Sequence, residues 1–509
     1  MRTSQNKNLV LVAMIFAVSM MFIDQTIVAL AVPDMSRHLS LSPTGAQWIV
    51  NGYLLALSAL FAFGGRLADV LGHRRMVTIG VAGFAVFSAL CGATPTGSLA
   101  EPWMITFRVL QGASAAVLYP AALAIVVAAF DLRERGRALA TFFGISSGLT
   151  ALGPILGGYL TEWTWRSIFW INVPVAIVAL VLIARTKPAQ DPKPAPIDFR
   201  GAVLISAGVG LAVLGLQQAA TWGWTDARTL GSIVSGIVVI GAFITDQARK
   251  SDPLIDVRVF TKRAFSVDTG VLALISAAFV PFFFFASMYA QASLGDSATQ
   301  AGTLLLAFFG GFVVAAQFGG RIFDAHGAKP TIMLGCAVSA VGFYLWGNSL
   351  TTLDFGSQWH YLVLAGAGMG LVLGPVSADA ITNAGRIGYG AATGINQTIR
   401  NLGASVGLAV MGSIFATQTA SRVSDTLTAN GVPAPQAHQI AHAVSAGDAH
   451  GHSASASLTH AIQLDFAHST QTIAWAMAAI MLTALVVTTV GLRRGRATSN
   501  AAAPMAEAA

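Results

Sequence analysis

Phe63-Gly64-Gly65-Arg66-Leu67-Ala68-Asp69-Val70-Leu71-Gly72 returns later in the chain as Phe318-Gly319-Gly320-Arg321-Ile322-Phe323-Asp324-Ala325-His326-Gly327. The Phe-Gly-Gly-Arg run, the aspartate and the last glycine keep their spacing at an offset of 255 residues, from 63 to 318. Each copy closes a long apolar stretch. A spaced pattern repeated at equivalent places reads as two related halves of one chain.

The surroundings say what kind of halves these are. The chain has 509 residues, 55% hydrophobic and 10% charged, with a mean hydropathy of +0.67. Soluble domains carry about a quarter charged residues, so this composition needs lipid as solvent. A spanning helix takes about 20 mostly apolar residues. Fourteen stretches qualify, near 10–32, 46–65, 77–95, 104–129, 138–160, 168–185, 202–219, 229–246, 267–290, 301–319, 331–349, 361–382, 391–415 and 470–491. They are too long and too evenly apolar for barrel strands. The expected fold class is an all-α membrane protein with fourteen transmembrane helices. The repeats close helices two and ten, which leaves two six-helix halves with two inserted helices between them. The boundaries follow: residues 1–185 form the N-terminal half, and 186–265 a linker with the two additional helices. Residues 266–492 form the C-terminal half, including a long outer loop at 417–467, and 493–509 a cytoplasmic tail. Repeated halves of this kind are the architecture of alternating-access transporters.

Charge placement tests the count. With both termini inside, 23 of the 29 Lys and Arg fall on the cytoplasmic side. Arg37, Arg166, Arg228 and Arg422 fall outside, and Arg108 and Arg400 lie within helices. That asymmetry is the positive-inside pattern, and removing one middle helix would invert every later loop. The apolar run from Val10 to Val32 exceeds the core of a cleavable signal peptide and reads as a retained first helix. The expected location is the bacterial cytoplasmic (inner) membrane.

Several functions are excluded. The net charge of +7 comes from short loops and not from a basic, aromatic-bearing surface, so no nucleic-acid partner is expected. Cys91 and Cys336 sit singly in apolar stretches and read as small buried hydrophobes. No phosphate-binding Gly-x-x-x-x-Gly-Lys-Ser/Thr stretch and no His-Glu-x-x-His occurs, which argues against an ATP-driven pump or a zinc enzyme. No filter-like loop or charged ring suggests a channel. The protein is expected to be a transporter and not an enzyme, with no cofactor besides protons as the coupling ion.

Gly65-Arg66-Leu67-Ala68-Asp69-Val70-Leu71-Gly72-His73-Arg74-Arg75 resembles the loop signature of the major facilitator superfamily, and Arg108-Val109-Leu110-Gln111-Gly112 resembles its helix-4 motif. The stretch Gly148 to Gly158, with Gly153, Pro154 and Gly157, is similar to the helix-5 motif of its exporters. Ile23-Asp24-Gln25-Thr26 through Pro33, and Trp165-Arg166 through Pro174, resemble the fourteen-spanner drug:proton antiporters. Val70 departs from the usual arginine of the loop signature. The resemblance covers nearly the whole chain. It implies a multidrug-efflux-type antiporter that uses proton influx to expel hydrophobic or cationic drug-like compounds. The alternative on the same fold is a narrow-specificity exporter, or another transporter, of an endogenous metabolite. The expected partners are small-molecule substrates and the bilayer. The chain is expected to be a monomer, with any periplasmic adaptor left open.

Candidate residues follow from cost. Asp24 lies within helix 1, and a carboxylate in hydrocarbon is expensive and usually functional. It can bind and release protons; the alternative is a structural partner for a buried arginine. Arg108, on helix 4, lies at a similar depth and is expected to face Asp24, forming with it the proton-coupling pair; the alternative is a pin onto backbone carbonyls. Asp69 with Arg74 and Arg75, and Asp324 with Lys329, are expected to form charged cytoplasmic gates in which a carboxylate caps a helix or pairs with its neighbour. The alternative is topogenic charge in a tight turn. The small residues Gly148, Gly153, Pro154, Gly157 and Gly158 should let helix 5 bend and approach a neighbour, as the antiporter motif implies or as ordinary packing would. Substrate contact is expected from Trp48, Asn51, Tyr53, Phe283, Met288, Tyr289, Gln291, Asn396 and Arg400, because aromatic, thioether and amide groups suit large varied ligands. Asp268 and Asp379, near helix ends, read as solvated helix-end charges, with Asp379 kept as a second acidic site. His438, His442, His450, His452, His460 and His468 fall in the outer loop. They read as a polar, pH-sensitive loop, with His450-x-His452 as a possible metal pair and no metal expected.

Overall fold

The structure, a computed structural model, describes residues 7–131, 134–149, 152–186, 198–250, 253–296, 298–384, 389–445 and 456–492. Within them the chain is helical, because a backbone crossing lipid must satisfy its own N–H and C=O groups. The expected N-terminal half contains α1 (Lys7–Leu39), α2 (Pro43–Leu71), α3 (His73–Gly92), α4 (Ala100–Ala129), α5 (Arg135–Gly148), α6 (Leu152–Trp163), α7 (Ser167–Trp170) and α8 (Asn172–Thr186). Two further helices follow, α9 (Phe199–Trp222) and α10 (Ala227–Arg249). The second repeat comprises α11 (Arg263–Ala292), α12 (Ala298–His326), α13 (Ala328–Ser349), α14 (Trp359–Asn383), α15 (Tyr389–Ala429), α16 (Ala434–Ser445) and α17 (Ala456–Gly491).

Thirteen segments among the described residues are long and apolar enough to cross a membrane. The expected fifth span, 138–160, falls on α5 and α6, of 14 and 12 residues. Each is roughly 20 Å of helix, short of the ~30 Å hydrocarbon core. Residues 150–151 between them lie outside the described residues, so the count established here is thirteen.

The long outer loop expected at 417–467 is largely helical, which corrects that reading. α15 continues to Ala429, a turn at Asn430-Gly431 places Gly431 at φ +88°, and α16 starts just after Pro433. The segment is rich in alanine, and its Ser and Thr residues bond back to their own helices, as Thr428 does to the Ser424 carbonyl at 2.8 Å. Thr426 Oγ1 donates to Asp465 Oδ2 at 2.6 Å and ties α15 to α17. His438 lies on α16, with Nδ1 3.3 Å from Ser424 Oγ, and His460 and His468 are on α17. His450 and His452 lie outside the described residues, as do 187–197 near the start of the expected linker and the tail (493–509). Among the described residues no group of three or more His, Cys, Asp or Glu could hold a metal.

The repeat extends into the packing. α2 lies against α4, and α12 against α14. Pro120 inside α4 and Pro375 inside α14 are again 255 residues apart, from 120 to 375. Across the boundary between the repeats, α2 packs on α15 and α12 on α5. The glycine pair of the opening motif explains why both contacts form. A Cβ on Gly64 would lie 2.3 Å from the Ala116 carbonyl of α4, and one on Gly65 2.2 Å from the Gly390 carbonyl of α15. Gly319 and Gly320 repeat this against Leu371 of α14 (2.8 Å) and Gly136 (2.9 Å) of α5. In each copy the first glycine faces its own repeat and the second faces the other, and only a missing side chain lets backbones meet this closely.

The inserted helices α9 and α10 pack on each other, and α9 leans on α2 and α15. Their loop end is clamped by Asp198, which caps α9 through the Gly201 amide (2.9 Å) and accepts from Gln247 (2.7 Å) and Lys250 (2.6 Å). Partial burial alone would push this carboxyl up, but the three donors outweigh it and hold it down to about 2. Cys91 and Cys336 are buried free thiols.

Candidate functional site

Asp24, on α1, is fully buried. Arg108 reaches it from α4: Nη1 donates to Asp24 Oδ2 at 2.6 Å and to Gln111 Oε1 at 2.7 Å, while Nε donates to the Ile49 carbonyl of α2 at 2.9 Å. Gln111, one turn along α4, closes the ring by donating to Asp24 Oδ1 at 3.0 Å. Both carboxylate oxygens are thus satisfied by side chains of one helix. The guanidinium carbon lies 4.3 Å from the centre of the Tyr53 ring. The structure therefore brings Asp24, Arg108 and Tyr53 together, and it pins Arg108 to a backbone carbonyl as well. Gln111 had been quoted only as part of a motif; its i,i+3 spacing from Arg108 was the available signal.

Such a cluster holds a carboxyl group and a guanidinium out of contact with solvent. A buried pair is stable only while both partners are present and hydrogen-bonded. Through it Asp24 ties α1 to α4, and Arg108 ties α4 to α2.

The helix-5 motif packs beside this cluster. A Cβ on Gly153 would fall 1.8 Å from Thr26 Oγ1, so α6 sits directly on α1 two residues past Asp24. Gly148 faces Val313 of α12, and Gly157 is buried. Pro154 and Gly158 lie on α6.

The two loop aspartates form a matched pair of contacts at the motif end of the bundle. Asp69 Oδ1 accepts from the Gly390 amide at 2.8 Å and Oδ2 from the Ala391 amide at 2.7 Å, at the start of α15. Asp324 accepts from the Gly136 (3.1 Å) and Arg137 (3.2 Å) amides at the start of α5. Each carboxylate caps a helix of the opposite repeat, where unpaired N–H groups and the helix dipole favour negative charge. The side-chain partner of Asp69 is His73 (Nε2 to Oδ1, 3.0 Å) and not Arg74 or Arg75, which make no ion pair among the described residues. Lys329 does not pair with Asp324 as expected. Its Nζ donates to the Thr489 and Leu492 carbonyls (2.6 and 2.8 Å), where it caps the last turn of α17. These backbone partners come from distant segments, and nothing local in the sequence marks them.

The expected substrate residues do not form one cluster. Trp48 and Asn51 are half-buried on α2. Tyr289 is buried, but its hydroxyl donates to the Leu350 carbonyl (2.8 Å) and accepts from Gln358 (2.7 Å). Gln291 is exposed and bonds back to Ser287, Met288 is half-buried, and Phe283 stacks on Phe309 at 5.2 Å. Asn396 and Arg400 are buried one turn apart on α15. Asp268 and Asp379 are buried side by side between α11 and α14, with Asn383 donating to Asp268 at 3.2 Å.

With this geometry in place, comparison with known proteins gives it a context. The profile of the Major Facilitator Superfamily matches residues 14–408. The Tetracenomycin C resistance and export protein of Streptomyces glaucescens is 35% identical over 422 residues, covering 82% of this chain and 76% of that protein. The Cephamycin export protein CmcT of Amycolatopsis lactamdurans is 36% identical over 404 residues, covering 76% of this chain and 81% of that protein. In fold, the chain resembles the proton:xylose symporter XylE, with a TM-score of 0.61 at 14% identity, over 97% of this chain and 98% of that one.

Proposed function

The chain belongs to the major facilitator superfamily, and from that premise we propose that it is a proton-coupled exporter working by alternating access. Its homologues are exporters of antibiotics. Hydrophobic drug-like compounds leave the cell as protons enter. The observation that carries the coupling is the Asp24–Arg108–Gln111 cluster: a fully buried carboxylate with its charge held by one arginine and one amide. Protonation of Asp24 releases Arg108 and loosens α1 against α4. The Asp69 and Asp324 caps hold the motif end closed until the repeats rock apart.

In this reading the membrane is the bacterial cytoplasmic membrane, the motif end and both termini face the cytoplasm, and α5 with α6 makes the fourteenth span. The working units are 1–185 and 266–492, with 186–265 inserted between them. The chain acts as a monomer with no cofactor besides the proton. A second reading is supported by the roles of these two relatives, each tied to one antibiotic: export of a single endogenous metabolite by the same mechanism.

Everted membrane vesicles with a pH-gradient dye test the proposal. Substrate-dependent collapse of the gradient is expected in the wild type and absent in Asp24→Asn. A panel of cationic, neutral and anionic compounds that moves no protons in the wild type would remove proton-coupled multidrug export and leave the single-metabolite reading.

A further inference from the structure

Among the described residues two arginines, Arg108 and Arg400, are buried within candidate spanning helices, and they are treated differently. Arg108 has Asp24 at 2.6 Å. Arg400, on α15, is 8% exposed and makes no ion pair among the described residues. Its immediate neighbours are uncharged: the Tyr119 side chain of α4 lies beside it, and its guanidinium carbon is 6.0 Å from the centre of the Phe279 ring of α11. Tyr119 is in turn packed edge-on by Phe61 (6.1 Å) and flanked by Phe142 (6.0 Å). Ring faces stabilise a guanidinium only weakly compared with the cost of burying an uncompensated charge.

One turn before Arg400, Asn396 shares its face of α15. It is 1% exposed, and among the described residues neither its amide nitrogen nor its carbonyl oxygen has a hydrogen-bond partner. Buried amides are almost always paired in folded proteins. An arginine and an amide without a partner therefore share one face of α15, and Arg400 lies beside Tyr119 of α4 and Phe279 of α11, where the two repeats touch. What the spot lacks is an anion that can accept from both.

We infer that Arg400 and Asn396 form the recognition site for an acidic group, a carboxylate or a phenolate, on an aromatic cargo. This inference rests on the exporter reading above and replaces the cationic cargo expected from the sequence. The guanidinium supplies a planar fork of donors to the acid, Asn396 supplies a further donor, and Tyr119 and Phe279 stack on the ring system.

The test compares matched probes on purified full-length protein: 9-anthracenecarboxylate, its neutral carboxamide, and tetraphenylphosphonium, with binding followed by tryptophan fluorescence. In the wild type the carboxylate should bind about tenfold or more tightly than the carboxamide, as expected for a hydrogen-bonded charge pair. In Arg400→Gln that ratio should fall to near one, and Arg400→Lys should restore part of it. The ratio is taken within each variant, and elution as a single symmetrical peak with a cooperative melt establishes that each is folded. A wild-type ratio near one, an unchanged ratio in Arg400→Gln, or tighter binding of tetraphenylphosphonium than of the carboxylate overturns the inference. Transport of the same probes in vesicles separates the two readings. A preserved ratio without transport sinks export and leaves anion recognition standing. Transport with a ratio near one does the reverse.

Discussion

Asp69 accepts the backbone amide of Gly390, 321 residues further on, at 2.8 Å, and Asp324 accepts that of Gly136 at 3.1 Å. The two contacts are related by the same internal repeat. Together they make the motif end of the bundle a pair of reciprocal helix caps, each binding one repeat to the other.

Asp69→Asn keeps an acceptor oxygen but removes the charge from the start of α15. Losing a cap of this kind costs about 0.5–2 kcal/mol, roughly a two- to thirtyfold shift away from the closed motif end. Spin labels on introduced cysteines in α2 and α15 should show a larger population of long distances. Cys91 and Cys336 are buried and should not compete for label. An unchanged distance distribution would mean that the caps do not bias access.

Gly65→Ala and Gly320→Ala place a Cβ against backbone of the opposite repeat, at 2.2 and 2.7 Å. Overpacking at such a point costs about 1–3 kcal/mol, and here it acts on the closed contact. Transport rates in vesicles should fall by about tenfold while insertion into the membrane is retained. Gly231→Ala is the control, because a Cβ there meets nothing within 4 Å; equal slowing by all three would count against the contact.

Arg108→Ala leaves Asp24 buried with Gln111 alone. Removing one partner of a buried pair costs about 3–5 kcal/mol, so the melting temperature in detergent should drop clearly. Adding Asp24→Asn should recover part of the loss, since it removes the stranded charge. Simple additivity of the two substitutions would show that the pair is not coupled.

The Asp198 clamp predicts a pH dependence. Its folded pKa, about 2, lies below the ordinary carboxylate value of about 3.9. Its stabilisation is therefore complete above about pH 4 and is lost as the pH falls towards 2. Lys250→Met removes one of the three donors, so wild type should melt higher than the variant at pH 6, and the gap should narrow between pH 4 and pH 2. A gap independent of pH would assign the effect of Lys250 to packing.

Much of this protein is legible before any coordinates. The apolar runs give the helices because lipid leaves the backbone no other partner. The recurrence of Phe63–Gly72 at 318–327 reveals the repeat, and the depth of Asp24 and Arg108 along their helices suggests their encounter. The helices at 417–429, 434–445 and 456–467 read as loop in the sequence because polar, alanine-rich helix lacks the apolar signal on which spans are recognised. What only the tertiary structure decided is which groups satisfy which. Asp69 chooses backbone amides over Arg74 and Arg75, Lys329 chooses the end of α17 over Asp324, and Arg400 is left without a counter-ion among the described residues. Hydropathy and spacing record how much each segment prefers lipid. Partner choice among buried charges depends on distances between residues hundreds of positions apart, and those exist only once the helices have packed.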